Sequence, residues 1–226
     1  MHGALTYFTA CLKFYPEKAP NDLLLESKKF VKNVLKLMAK YDFGDDSTED
    51  IVLIELKVSV LYFYKSLCSK KPSFFFKNKY LEEALVFASH TVPSDESRET
   101  KACFDMLKSV GQGYYKYLTE LSNLPKIEKA ITLFEDFFRE MIESVVLKAI
   151  KNDDSYGVVE MIVSSISRLL SEVSDPEYLI VAYKYTPAII KEFFMNENLE
   201  FGEDQQYETS AYYSVCDLIK QPIVAL

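Results

Sequence analysis

The sequence predicts an all-α protein, on three observations. Apolar residues recur with helical spacing, at i, i+3, i+4 and i+7, through nearly the whole chain. Glycine occurs 6 times and proline 8 times in 226 residues. That is too sparse for the turns of a β-sandwich or the phosphate loops of a nucleotide-binding α/β fold. The breakers that do occur, among them Pro16, Gly44, Pro72, Pro125 and Pro176, fall between the periodic stretches.

Nine helices follow in order. The first spans 3–15 and stops before Pro16. The second starts after Asn21, a good N-cap, and runs to 41 with Leu24, Phe30, Val31, Val34, Leu35 and Met38 inward. Gly44 closes it. The third starts near Ser47, where Ser47 and Asp50 approximate a capping box, and runs to 69. It is apolar on nearly all sides from Ile51 to Leu61, which predicts a central position. Pro72 breaks it. A short fourth helix covers 76–91 and the fifth 95–122. The sixth has Pro125 in its first turn and reaches 151. The seventh covers 155–173. Asp175 and Pro176 cap the eighth, which runs to 196 with a kink at Pro187. An acidic loop from Glu200 to Gln206 leads to the ninth, 207–220. Short connections make sequence neighbours antiparallel. No long Gly/Ser linker divides the chain, so 1–226 reads as a single domain.

Composition excludes several functions. Net charge is −8, and it is uneven: residues 1–90 hold 13 basic and 11 acidic side chains, and residues 91–226 hold 13 and 23. Steady binding to nucleic acid needs a positive surface, so no nucleic-acid partner is expected. Lys28, Lys32, Lys36 and Lys40 form one stripe of the second helix. Such a stripe reads first as a solvated face and second as a contact for an anionic partner. Cys11, Cys68, Cys103 and Cys216 are widely spaced. That argues against zinc or a disulfide framework, and for core packing in a reducing compartment. No apolar run reaches the roughly 18 residues of a membrane span, and the N-terminus lacks a signal-peptide layout. A cytoplasmic protein without membrane partners is the expectation.

Catalytic chemistry finds little support. Asp45-Asp46-Ser47-Thr48-Glu49 reads as a DDxxE motif, with Asn152, Asp153 and Glu160 as a loose second half. Paired carboxylates of this kind could hold magnesium, but acids at a helix start also simply favour its dipole. Gly111-Gln112-Gly113 is a lone GxG with no strand before it, which argues against a dinucleotide site. His2 and His90 are far apart, with no Ser, Cys or Asp constellation around either. No enzyme, metal or cofactor is expected.

The informative stretch lies on the fifth helix: Glu99-Thr100-Lys101, then Lys108, then Tyr114-Tyr115-Lys116-Tyr117-Leu118-Thr119-Glu120-Leu121. Three tyrosines surround one cation. Packed aromatics with a snorkelling lysine would produce this pattern. So would a phosphate cradle, in which a cation and a tyrosine hydroxyl approach one oxyanion. The run resembles the YYRYLAE segment of 14-3-3 proteins. Asp175-Pro176-Glu177-Tyr178 is similar to the SPEK turn opening the family's eighth helix. Tyr207-Glu208-Thr209-Ser210 resembles the start of its final YKDST signature. Nine helices in a chain of this length also agree. The resemblance covers most of the chain as helix order, and residues 95–121 and 175–220 as letters.

The resemblance implies a 14-3-3-like concave bundle of nine antiparallel helices with TPR-like stacking. Helices within 1–69 would serve dimerisation and part of a groove, and those within 76–226 the groove floor and far wall. It implies a non-enzymatic adaptor that binds phosphoserine or phosphothreonine peptides of partner proteins. The family's phosphate-gripping Arg-Tyr pair becomes Lys116-Tyr117, which keeps charge but loses the bidentate fork. The third helix should add two cations seven residues apart. Lys57 takes the first position with Tyr64 at the second, or, one register on, Val58 and Lys65 fill them. The phosphate set is then Lys57, Lys65, Lys116 and Tyr117. The family's backbone-holding Asn residues have no counterpart, since 155–173 and 205–226 contain no Asn. Ser164, Ser165 or Ser167 is left as a substitute. The apolar wall comprises Ile162, Ile166 and Leu169 with Val215, Leu218 and Ile219, all of which read equally well as core. The family's two tryptophans are absent, as is its usual tail. A homodimer is implied, with a reduced surface because the third-to-fifth helix span is short; the stripe Leu5, Phe8 and Leu12 awaits a cover.

Two other readings stand beside this one. The same fold could serve as a scaffold with a lost or altered phosphate site, binding unphosphorylated acidic peptides. Alternatively, the chain could be an unrelated helical-repeat interaction protein of the TPR or HEAT kind: Glu82 to Leu85 and Glu128 to Ile131 have a TPR flavour, although no 34-residue period holds.

Overall fold

Prolines and turn residues cut the chain close to where the sequence places the breaks. The structure, a computed structural model, describes residues 2–14, 21–38, 47–92, 97–121, 127–153, 155–197, 199 and 205–224, and these hold no strand. The helices are α1 His2–Phe14, α2 Asn21–Met38, α3 Ser47–Lys70, α4 Pro72–Lys77, α5 Tyr80–Thr91 and α6 Ser97–Leu121. They continue with α7 Ile127–Met141, α8 Leu147–Asn152, α9 Tyr156–Leu170, α10 Pro176–Tyr183, α11 Thr186–Met195 and α12 Gln205–Val224. A π-helical turn, Ile142–Val146, joins α7 to α8.

The expected nine helices thus become twelve α-helical segments among the described residues. Each extra break has a local cause. Pro72, an expected break, ends α3 and sits in the first turn of α4, and the extra break between α4 and α5 falls where Lys79 takes a left-handed φ of 59°. Pro187 likewise sits in the first turn of α11, so the expected kink is a full break after Tyr183. The wider π turn lets Ile142, Val145 and Val146 all point inward. Asp175 caps α10 as expected: its Oδ1 accepts the Glu177 N–H at 2.9 Å. Gly44, the side chains of the Ser47–Asp50 capping box and the acidic stretch 200–204 lie outside the described residues, as do Asp45 and Asp46 of the DDxxE motif.

Five helices form a row in which α1 packs on α3, α3 on α6, α6 on α9 and α9 on α12. They begin at residues 2, 47, 97, 156 and 205, so the row gains a helix about every 50 residues. The α3–α6 seam runs in parallel. Along α3–α6, Glu55 meets Arg98, Lys57 meets Glu99, Lys65 meets Asp105, and Cys68 Sγ lies 3.9 Å from the Ser109 carbonyl. Both numbers rise together. These row neighbours are not neighbours in sequence, and each return between them is made by a second set of helices. α5 returns between α3 and α6, α7 to α8 between α6 and α9, and α10 to α11 between α9 and α12. Contacts of α5 with the π turn, α7 with α10 and α8 with α11 join this second row.

Aromatic side chains fill the space between rows. Tyr64 of α3 is wholly buried and packs edge-on against Phe75, Tyr80 and Phe87, with ring centroids 6.2–6.3 Å apart. Phe134 of α7 sits 5.3 Å from Tyr178 of α10. Each fully buried ring of this size contributes about 1.5–3 kcal/mol. α1 buries Leu5 and Leu12, so this chain's own core covers two members of the N-terminal stripe; the Phe8 side chain lies outside the described residues. α2 is held at α5, where the Lys28 ammonium pairs with Glu83 at 3.2 Å and lies 4.3 Å above the Tyr80 ring. The first lysine of the stripe is therefore structural, while Lys32 and Lys36 are exposed.

The GxG pair is a packing device. A Cβ at Gly111 would lie 2.3 Å from Leu169 Cδ1 of α9, and one at Gly113 would lie 2.8 Å from Cys68 Sγ of α3. Without side chains at these positions, α6 approaches both of its row neighbours closely.

Candidate functional site

The Tyr-Tyr-Lys-Tyr run is split by helical rotation. Tyr114 is buried against Phe76 and, edge-on, Phe137, and burial pushes its phenol up to about 12. Tyr115 is buried on another side of α6. Its hydroxyl lies 3.0 Å from Ser174 Oγ and accepts the backbone N–H groups of Ser174 and Asp175 at 3.3 and 3.2 Å. Lys116 is exposed, and it has no carboxylate partner among the described residues. Tyr117 is half-buried, with its ring 4.8 Å from that of Phe76. The buried pair fixes the backbone that presents Lys116 and Tyr117.

Lys116 and Tyr117 border a pocket of about 280 Å³ where α6 passes the end of α3 and the start of α4. Cys68, Ser69, Pro72, Ser109, Gln112, Gly113 and Glu120 complete it. The Ser69 and Ser109 hydroxyls are engaged by carbonyls one turn back, at 2.8 and 2.9 Å. Gln112 donates to the Arg168 carbonyl at 3.4 Å. The Lys116 ammonium and the Tyr117 hydroxyl are thus left to meet an incoming acid, with the Glu120 carboxylate one turn away. Burial pushes the Cys68 thiol up to about 12, which leaves negligible thiolate at neutral pH. Among the described residues, no three His, Cys, Asp or Glu side chains gather in a way that could hold a metal ion.

The other two expected phosphate ligands are placed elsewhere. Lys57 is buried, with its ammonium 3.1 Å from Glu99 Oε1 and 3.3 Å from Oε2. It precedes Ser69 by twelve residues, about 18 Å along α3. Lys65 lies 3.3 Å from Asp105, which Lys108 shares at 3.6 Å, and it lines a different pocket, between α1 and α3. In either register of the third helix, then, no second cation among the described residues joins Lys116 at its pocket: Tyr64 is deep in the aromatic core, and Val58 is buried too. Of the six apolar wall residues, Ile162, Ile166, Leu169, Val215 and Leu218 are buried, all five on the two helices of the α9–α12 seam. Ser164 is half-buried with its hydroxyl 3.1 Å from the Met161 carbonyl, and Ile219 is exposed.

Sequence reasoning missed Gln112 and Glu120 as pocket residues, although both stand one turn from Lys116 and could have been read from the spacing. Ser69 and Pro72 come from another element and carry no such signal. No helix among the described residues is long and apolar enough to cross a membrane. In comparisons with protein-family models, curated proteins and solved structures, nothing matches this chain.

Proposed function

We propose that the protein is a non-enzymatic, cytoplasmic adaptor of divergent 14-3-3-like build whose peptide site, centred on Lys116 and Tyr117, has an altered phosphate grip. The observation that carries this reading is the exposed Lys116 ammonium beside Tyr117 at an open pocket, with Lys57 and Lys65 already neutralised by Glu99 and Asp105. Support for the build comes from the order of helices in two alternating rows. A phosphate dianion would meet one lysine and one phenol instead of three strong cations, so a glutamate or aspartate side chain competes well for the same place. The partners are acidic or phosphorylated segments of other proteins, bound weakly. The implied homodimer belongs to the same reading, and sedimentation over a concentration series tests it.

The experiment is a titration of a phosphoserine peptide library and its unphosphorylated acidic twin at one stated salt concentration, with wild type and Lys116→Glu. Both libraries should bind wild type, with phosphorylation favoured by less than about tenfold. Binding of the phosphoserine library should be lost with the substitution, and binding of the acidic library weakened. Unchanged binding by Lys116→Glu would remove the site.

A further inference from the structure

We propose that the groove between α1 and α3 is a second docking site, for an unphosphorylated acidic peptide segment carrying an aromatic or large aliphatic side chain. It goes beyond the Lys116 reading and does not depend on it. The groove encloses about 770 Å³ against 280 Å³ at Lys116. It follows α3 from Glu55 to Lys70, about 22 Å at 1.5 Å per residue. An extended segment of about seven residues spans that length.

The chemistry of the lining selects the partner. Lys13, Lys65, Lys70 and Arg98 face the groove, with Glu55 as the one carboxylate. Arg98 engages both oxygens of Glu55, and Lys65 engages Asp105. Lys13 and Lys70 are exposed, and neither has a carboxylate partner among the described residues. A locally positive channel in a chain of net charge −8 is complementary to acid, and the overall negative charge repels nucleic acid. The apolar surface is aromatic: Phe14 is 66% exposed and Tyr62 41%. Lys13 lies 5.5 Å over the Phe14 ring and Lys65 5.9 Å over the Tyr62 ring, and two exposed rings each with a cation beside them suit a segment that alternates acid with an apolar anchor.

The test uses a fluorescein-labelled peptide of about seven residues alternating Glu with Phe and Leu, and its Gln-for-Glu twin. Anisotropy titrations are run with wild type, Lys13→Glu/Lys70→Glu and Lys116→Glu. The Glu peptide should saturate wild type, and the twin should bind at least about tenfold more weakly. The double variant should lose at least about tenfold, and Lys116→Glu should lose less than the double variant does. Both altered lysines are exposed, and circular dichroism checks the fold; Lys13→Gln/Lys70→Gln replaces a variant that fails it. Equal affinity for the two peptides, an unaffected double variant, or loss only with Lys116→Glu would overturn the proposal. So would wild-type self-association that Lys13→Glu/Lys70→Glu abolishes, which would assign the groove to a second copy of the chain.

Discussion

The Tyr115 hydroxyl accepts the backbone N–H of Asp175 across 3.2 Å, and the N–H of Ser174 beside it. One side chain of α6 thereby holds the entry to α10, at the residue whose own carboxylate caps that helix. The next residue in sequence, Lys116, is exposed on a different face of the helix. In this way the informative motif divides between holding the fold and meeting a partner.

Tyr115→Phe should therefore destabilise by about 1–3 kcal/mol, because two backbone donors lose their acceptor. Lys116→Gln should stay within about 0.5 kcal/mol of wild type. Urea midpoints with an unchanged slope are the readout. Equal effects at the two positions would contradict the division of roles.

The Lys57–Glu99 pair is nearly dry, with side chains 11% and 2% exposed. Lys57→Met or Glu99→Gln should cost about 3–5 kcal/mol by leaving the partner buried without its counter-charge. The double variant Lys57→Met/Glu99→Leu should recover most of that loss. A double-mutant cycle measures the coupling, and additive losses would refute it.

Gly113→Ala should destabilise by about 1–3 kcal/mol although alanine favours a helix, because the new methyl meets Cys68 Sγ at 2.8 Å. Adding Cys68→Ala should cost less in that background than in wild type. Thermal melts of the four proteins decide the matter, and a stabilised Gly113→Ala would show that α3 and α6 are looser than described.

Burial pushes the Cys68 thiol and the Tyr80 and Tyr114 phenols up to about 12, and raises Tyr64 and Cys103 as well. The unfolded chain releases these protons first, from about pH 8.5 for thiols and 10 for phenols. Their contribution is complete below those values and is lost as pH rises through the folded values. Urea midpoints measured from pH 7 to 11 should hold level and then decline above about 9. A rising midpoint over that range would contradict the sign.

Helix positions were largely legible because their signals are local. Asp175, Pro176 and the apolar periods of α2, α3, α6 and α9 each act within a turn or two. The π turn left no signal, since its cause is how Ile142, Val145 and Val146 pack against other helices. The site was half legible. Exposure of Lys116 follows from the buried faces on either side of it, but the capture of Lys57 by Glu99 joins residues 42 apart in sequence. Ile166, Leu169, Val215 and Leu218 show the same limit, because an apolar stripe reads alike whether it faces a groove or, as here, is buried.

Amide-shift mapping of the labelled protein with one phosphoserine peptide, and with its glutamate counterpart, addresses the site most directly. Both peptides should move the Ser69, Gln112, Lys116 and Tyr117 signals and leave those around Lys57 and Glu99 in place. Shifts centred on Lys57 and Glu99, with Lys116 and Tyr117 unmoved, would contradict the proposed site.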